Sequence, residues 1–273
     1  MIVGAEDLAA DLWALGIHPG DGLFVHSSLG AIGHVISGPR GLIEALILAV
    51  GPNGLIGMPG FSNDAYDPVE ILGKEVPPDV HRRLRAQVPG FEPTRSNVRG
   101  NGAVPEAFRV WPGVVRSPHP TSSVLLLGPD AKELAKPHDQ SGWATGPETP
   151  WGRLADRPSM KILLIGVGWN RCSALHASES LAPHRRTKLR HLKTGPGDAP
   201  WIEAPDVADD LNRLFPLVGA AWEETGAVTY GKIGAAEARL TCYKPLLLFG
   251  RDWIDARNRA DGVPSVDRSD TTR

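Results

Sequence analysis

A histidine and a glutamate stand three residues apart, His176 and Glu179, in the stretch "SALHASESLA" (173–182). Directly before it runs the apolar "KILLIGVG" (161–168). On a helix, residues i and i+3 are neighbours on one face. Glu179 can therefore hold one nitrogen of the His176 ring, fix its tautomer and make the other nitrogen a better base. The chemistry on offer is removal of a proton from an attacking nucleophile. A solvated His–Glu pair on an exposed helix face accounts for the same two residues. Cys172, four residues before His176, adds a rival: Cys172, His176 and Glu179 as a cysteine triad. The sequence favours the plainer view, a small buried cysteine at a strand–helix joint. Zinc chemistry is disfavoured, because HExxH is absent and His26, His34 and His119 are scattered.

The elements that must position the pair follow from periodicity. "EDLAADLWALG" places Leu8, Leu12 and Leu15 at helical spacing, and Gly16 stops the run. "GLFVHSSL" reads as a strand, "GPRGLIEALILAVGPNG" as a helix with Pro39 near its start, and "GLIGMPGF" as a second strand. Further on come a helix in "AVPEAFRVW", a strand in "SSVLLLG", a helix in "PDAKELAK" and the strand "KILLIGVG". "SALHASESLA" is then a short helix ended by Pro183. "RTKLRHL" and "PWIEAP" read as a hairpin, "DVADDLNRLFPLVGAAWEET" as a helix, and "LLLFGRDWIDARNR" as the closing helix. This alternation predicts an α/β layered fold, and the length suits one large domain or two small ones, followed by a polar tail over 261–273. Residues 68–101, rich in proline and arginine, interrupt the rhythm. They are expected to form a lid beside the site, with Arg82, Arg83 or Arg85 near a phosphate group, or else a solvated basic surface.

In open α/β sheets, ligands bind outside the carboxyl ends of the strands, so His176 is expected to face a crevice. "VHSSLGAIG" places Ser27 and Ser28 just past a strand, with Gly30 and Gly33 behind them. Such a loop offers backbone N–H groups and hydroxyls to phosphates or amides, although Ser-Ser also makes turns and caps. "RSPHPTSS" (116–123) has the same character, held by two prolines. "GVG" at 166–168 is too short for a dinucleotide fingerprint.

Composition narrows the function classes. The chain has 273 residues and a formal net charge of −2, which does not mark a nucleic-acid binder. No run approaches the roughly 18 apolar residues of a membrane span. "MIVGAEDLAADLW" lacks the basic-then-apolar order of a secretory signal. Two cysteines outside any CxxC pair argue against a disulfide framework. The expected setting is cytoplasmic.

Several blocks, in this order, resemble the aminoglycoside 3-N-acetyltransferase family, also called the antibiotic N-acetyltransferase or YokD-like family. They are "VHSSLGAIGHVISGPRGLIEALILAVGPNGLIGMPGFS", "YDP", "FEPTRSNVRGNGAVPEAFR", "PGVVRSPHPTSS", "ATGPETPWGRLAD" with "ILLIGVGWNRCSALHASE", and "GKIGAAEARL". The resemblance runs from about residue 6 to 257 and rests on the order and spacing of the blocks. It implies a single α/β domain over 1–260 with a mixed central sheet flanked by helices, distinct from the GNAT fold. It also implies an acetyl-CoA-dependent enzyme with no metal that acetylates an amino group, most often the 3-amino group, of an aminoglycoside. His176 then matches the catalytic histidine and Glu179 the carboxylate that orients it. Ser27, Ser28, Leu29, Ile32 and Gly33 would lie along acetyl-CoA, with Ser117, His119 and Ser123 on its other side. His26 is in the motif as a structural partner or a catalytic group. A polycationic acceptor needs carboxylates. Asp64, Asp67, Asp206, Asp209 and Asp210 are the candidates, although acidic residues before helices also serve as caps. The chain departs from the pattern at Cys172-Ser173, where many relatives carry Asn-Thr. A different amine acceptor, or a CoA-binding protein without catalysis, is the alternative.

Overall fold

Alternation along the strands decides the layers. In Gly22–Ser27, Leu23 and Val25 join one buried cluster while Phe24 joins the other. In Met160–Ile165, Leu163 and Ile165 face the first cluster, and Ile162 and Leu164 face the second. Side chains of period two on a sheet covered on both sides give this result. The computed structural model describes residues 1–208 and 211–266. Among them, seven strands form a sheet in the order Thr229–Ile233, Ala236–Cys242, Met160–Ile165, Gly22–Ser27, Leu55–Pro59, Val124–Leu127, Val115–Arg116. The three central strands are parallel, and antiparallel pairs flank them on both sides. Helices Ala5–Ala14, Pro39–Val50 and Ala103–Arg109 cover one face. Helices Leu175–Leu181, Phe215–Glu224 and Tyr243–Ala260 cover the other. No helix of the described residues is long and apolar enough to cross a membrane.

The helix carrying the His–Glu pair is built to be enclosed. Leu175, Ala177, Ser178, Glu179 and Ser180 are all buried. Its small residues let it press on the closing helix at Gly250, where an added Cβ would meet Ser178 Oγ at 2.7 Å. Ser178 Oγ also donates to Leu247 O at 2.9 Å. The solvated-face reading of the pair therefore does not describe this helix.

One expectation changes, and one stretch left unassigned by periodicity takes form. The predicted helix over "DVADDLNRLFPLVGAAWEET" is helical only in its second half. Asp206 and Val207 pair with Lys188 and Thr187 in the hairpin Thr187–Lys193/Trp201–Val207, and the helix begins only at Phe215. Pro216 sits in its first turn, where a missing N–H costs no hydrogen bond. "GKIGAAEARL" proves to be a sheet-edge hairpin, Thr229–Ile233 with Ala236–Cys242. Its buried alternating residues are Ala236, Ala238 and Leu240, and alanine carries little strand signal.

Segment 68–101 holds two short helices, Pro68–Leu72 and Pro78–Arg85, and a turn at Arg99–Asn101. Asp67 ties them together. Its carboxylate accepts from Val69 N at 3.0 Å and pairs with His81 Nε2 at 2.7 Å and Arg85 Nε at 3.3 Å. The Arg85 guanidinium also lies 4.0 Å from the centroid of the Trp201 ring on the hairpin.

Candidate active site

Strands Gly22–Ser27, Leu55–Pro59 and Met160–Ile165 are parallel, so their carboxyl ends open on one side of the sheet. The loops that leave them build a cleft with two chambers. One, of about 630 Å³, is lined by His26, Ser27, Ser28, Leu29, Ser173 and His176. The other, of about 400 Å³, is lined by Tyr66, Glu70, Ser122, Arg190, Asp206 and His176. His176 belongs to both, as do Phe61 and Asn212.

The loop from the central strand to the His–Glu helix depends on two glycines. Gly166 has φ +62°, and a Cβ there would overlap Ala31 of the "HSSLGA" loop. Gly219 lies on helix Phe215–Glu224 under the Trp169 indole, with no room for a Cβ. Trp169 is buried and donates from Nε1 to Glu223 Oε1 at 2.8 Å. Gly219→Ala gains about 1 kcal/mol in helix propensity. Overpacking a tight contact costs typically about 1–3 kcal/mol, and the added methyl meets a rigid ring. The net expectation is a lower unfolding midpoint and a raised Michaelis constant for acetyl-CoA, because the displaced loop lines the larger chamber. A thermal melt and a substrate titration check both. An unchanged melt would mean that the indole yields without cost.

His176 Nδ1 lies 2.9 Å from Glu179 Oε2. With the carboxylate accepting, Nδ1 carries the hydrogen and Nε2 presents its lone pair. Among the described residues Nε2 has no hydrogen-bond partner, and the ring borders both chambers. Phe215 meets the imidazole edge-on at a centroid distance of 4.8 Å. Thr145 Oγ1 donates to His176 O at 3.1 Å and holds the first turn of the helix. Burial pushes the His176 pKa down. The hydrogen bond that the ring donates to Glu179, the charge of Glu179 and that of Asp206 outweigh burial, and the pKa is raised above 6.5. His26 behaves oppositely: burial, reinforced by the charge of His176, lowers it to about 3. His26 is therefore neutral at physiological pH, and among the described residues its buried Nε2 has no partner.

The other predicted residues separate into those at the cleft and those elsewhere. Ser27, Ser28 and Leu29 line the larger chamber. Ile32 is fully buried in the core. Gly33, at φ +102°, ends a short helix beside Met1 O. Neither lines the cleft, because the short helix Leu29–Ile32 turns them inward. Ser117, His119 and Ser123 are buried and hold their own loop together. Ser117 Oγ accepts from Val124 N and lies 2.9 Å from His138 Nδ1. His119 Nδ1 accepts from Ser122 N at 3.1 Å, and its ring stacks on His138 at 4.7 Å. Ser123 Oγ donates to Gly60 O at 2.6 Å. From this block it is Thr121 and Ser122 that reach the smaller chamber.

Of the acidic candidates, Asp206 lines the smaller chamber. Asp67 is used by its cap and ion pairs, and Asp64 lines neither chamber. Asp209 and Asp210 lie outside the described residues. Arg82, Arg83 and Arg85 line neither chamber, although their segment borders the cleft through Glu70 and Ile71 at one end and Gly100 and Asn101 at the other. Cys172 is fully buried and burial pushes its thiol up to about 12, which is the inert residue expected at the joint. The sequence reading missed Glu70 and Arg190, which look like ordinary surface charges until the hairpin folds over.

A carboxylate-held imidazole shared by two chambers suits a group-transfer enzyme that brings two substrates to one base. The profile described as aminoglycoside 3-N-acetyltransferase matches residues 24–255, and the chain belongs to this family. It is 33% identical to aminoglycoside N(3)-acetyltransferase VIII of Streptomyces fradiae, over 92% of this chain and 91% of that protein. Among solved structures it resembles AAC-IIIb in a binary complex with CoASH, with TM-score 0.83 and 28% identity over 94% of this chain and 98% of that one. It likewise resembles AAC-VIa bound to sisomicin, with TM-score 0.82 and 31% identity over 94% of this chain and 99% of that one.

Proposed function

We propose that this chain transfers the acetyl group of acetyl-CoA directly to an amino group of an aminoglycoside, the 3-amino group in the first instance, with His176 as general base. The observation that carries the reading is the position of His176 between the two chambers, with Nδ1 on Glu179 and Nε2 open. Relatives of the same fold with CoASH in one case and sisomicin in another support the two substrates. The larger chamber, floored by Ser27, Ser28 and Leu29, takes acetyl-CoA. The smaller one, with Glu70 and Asp206, takes the amine.

An ammonium has no lone pair, so the acceptor must lose a proton before it attacks a thioester. His176 Nε2 accepts that proton, and Glu179 stabilises the imidazolium that results. The C–N bond then forms at the thioester carbonyl, and the C–S bond breaks. As the amide forms, the nitrogen sheds a second proton. One of the two protons passes through His176 to the leaving thiolate and the other is released to solvent, and Cys172 takes no part.

A thiol-release assay with acetyl-CoA and a panel of amines tests the reading. Release that requires both acetyl-CoA and an aminoglycoside with a free 3-amino group is expected, and product NMR identifies the acetylated nitrogen. No release across the panel would remove the activity. Binding of acetyl-CoA without turnover would leave a CoA-binding protein.

A further inference from the structure

The smaller chamber holds a cation between its carboxylates. Besides His176, its charged lining residues among the described ones are Glu70, Asp206 and Arg190. Arg190 lies between the two carboxylates. Its Nε donates to Asp206 Oδ2 at 2.8 Å, and one terminal nitrogen lies 4.0 Å from Glu70 Oε2. Its guanidinium lies 5.2 Å from the centroid of the Tyr66 ring. The side chain is only 14% exposed, so this cation is well shielded and held in place. Another carboxylate that the sequence suggested for the cleft, Asp67, is already paired with His81 and Arg85.

We infer that Arg190 is a built-in cation on the carboxylate subsite of the acceptor chamber, and that it sets how many positive charges an acceptor can carry. This rests on the reading of that chamber as the amine site. The ammonium that reacts goes to His176. Every further ammonium on a polycationic acceptor seeks a carboxylate, and Glu70 and Asp206 are the ones offered. Arg190 already binds Asp206 with a planar, weakly hydrated group and lies 4.0 Å from Glu70, whose Oε1 accepts from His191 N at 2.7 Å. A polycation must share or displace it. A monoamine, whose single charge is removed by His176, need not. The same ion pairs also fix the hairpin against helix Pro68–Leu72, so the specificity element and the chamber wall are one structure.

The test compares wild type, Arg190→Gln, Arg190→Met and Arg190→Lys. The acceptors are sisomicin, a polycation, and glucosamine, with one amino group. Removing one positive charge within a few ångströms of the subsite should lower the sisomicin Michaelis constant by about tenfold. The glucosamine constant should move far less, and the sisomicin constant should become steeper in salt. Arg190→Lys should stay with wild type. Arg190→Met keeps an apolar stem over Tyr66, so it reports the charge if the glutamine variant unfolds. Titration calorimetry of sisomicin without acetyl-CoA gives the same comparison as dissociation constants. That arm stands even if no amine is acetylated, which separates failure of this inference from failure of the proposed activity. Sisomicin binding that is unchanged or weaker in both uncharged variants overturns the inference. So does an equal gain for glucosamine, or a lysine variant that behaves like the glutamine one.

Discussion

His176→Ala should lower turnover by roughly 10²–10⁴-fold, the usual worth of general-base catalysis. The acetyl-CoA Michaelis constant should change little, because the ring acts on the acceptor amine. The alanine variant also leaves the 5%-exposed Glu179 without its imidazole partner, so a fold defect could mimic a lost base. His176→Asn separates the two. Its amide can still donate to the carboxylate but cannot take a proton near neutrality. It should melt close to wild type and be as inactive as alanine. Steady-state kinetics beside a thermal melt reads the distinction. An active, stable asparagine variant would remove His176 from the chemistry.

The second large effect is at Glu179. Glu179→Gln should cost roughly 10²-fold or more near neutral pH, because an amide neither charges the imidazole nor secures the productive tautomer. The pH profile carries the diagnosis. In wild type the hydrogen bond and charge of Glu179 help hold the His176 pKa above 6.5 against burial. The acid limb of kcat/KM therefore lies above 6.5, where the imidazole becomes protonated. In Glu179→Gln burial remains and its strongest opponent is gone, so the limb moves to lower pH. The loss should shrink at high pH, where the amine sheds its proton to water and base strength matters less. The same raised pKa has a stability sign. Protonated His176 stabilises the fold below its unfolded pKa, and that contribution fades as pH rises through the folded value. An acid limb that stays in place in Glu179→Gln would show that the carboxylate does not tune the ring.

The sequence carried the layers and the centre of the site. Strands such as "GLFVHS" and "KILLI" are apolar and bounded by glycine, so burial on both faces was legible, and the His–Glu spacing follows from helix geometry alone. It did not carry what depends on long-range closure. Asp206 looked like a helix-capping acid in "PDVADD", and only pairing of Asp206 and Val207 with Lys188 and Thr187 makes these two residues strand and turns Asp206 into the chamber. Ser117, His119 and Ser123 read as donors for a ligand. In the structure they are internal partners for Val124, Ser122 and Gly60, since a proline-fixed loop must satisfy its own buried backbone. Arg190 had no local signal, because its partners lie 16 and 120 residues away in sequence.

The central claim, direct transfer between two substrates that meet at His176, is tested most directly by initial velocities at varied acetyl-CoA and sisomicin, with mass spectrometry of the enzyme quenched after acetyl-CoA alone. The account predicts intersecting double-reciprocal lines and an unmodified chain. Parallel lines, with an acetyl group trapped on Cys172 or Ser173, would contradict it and put an acyl-enzyme in place of the base.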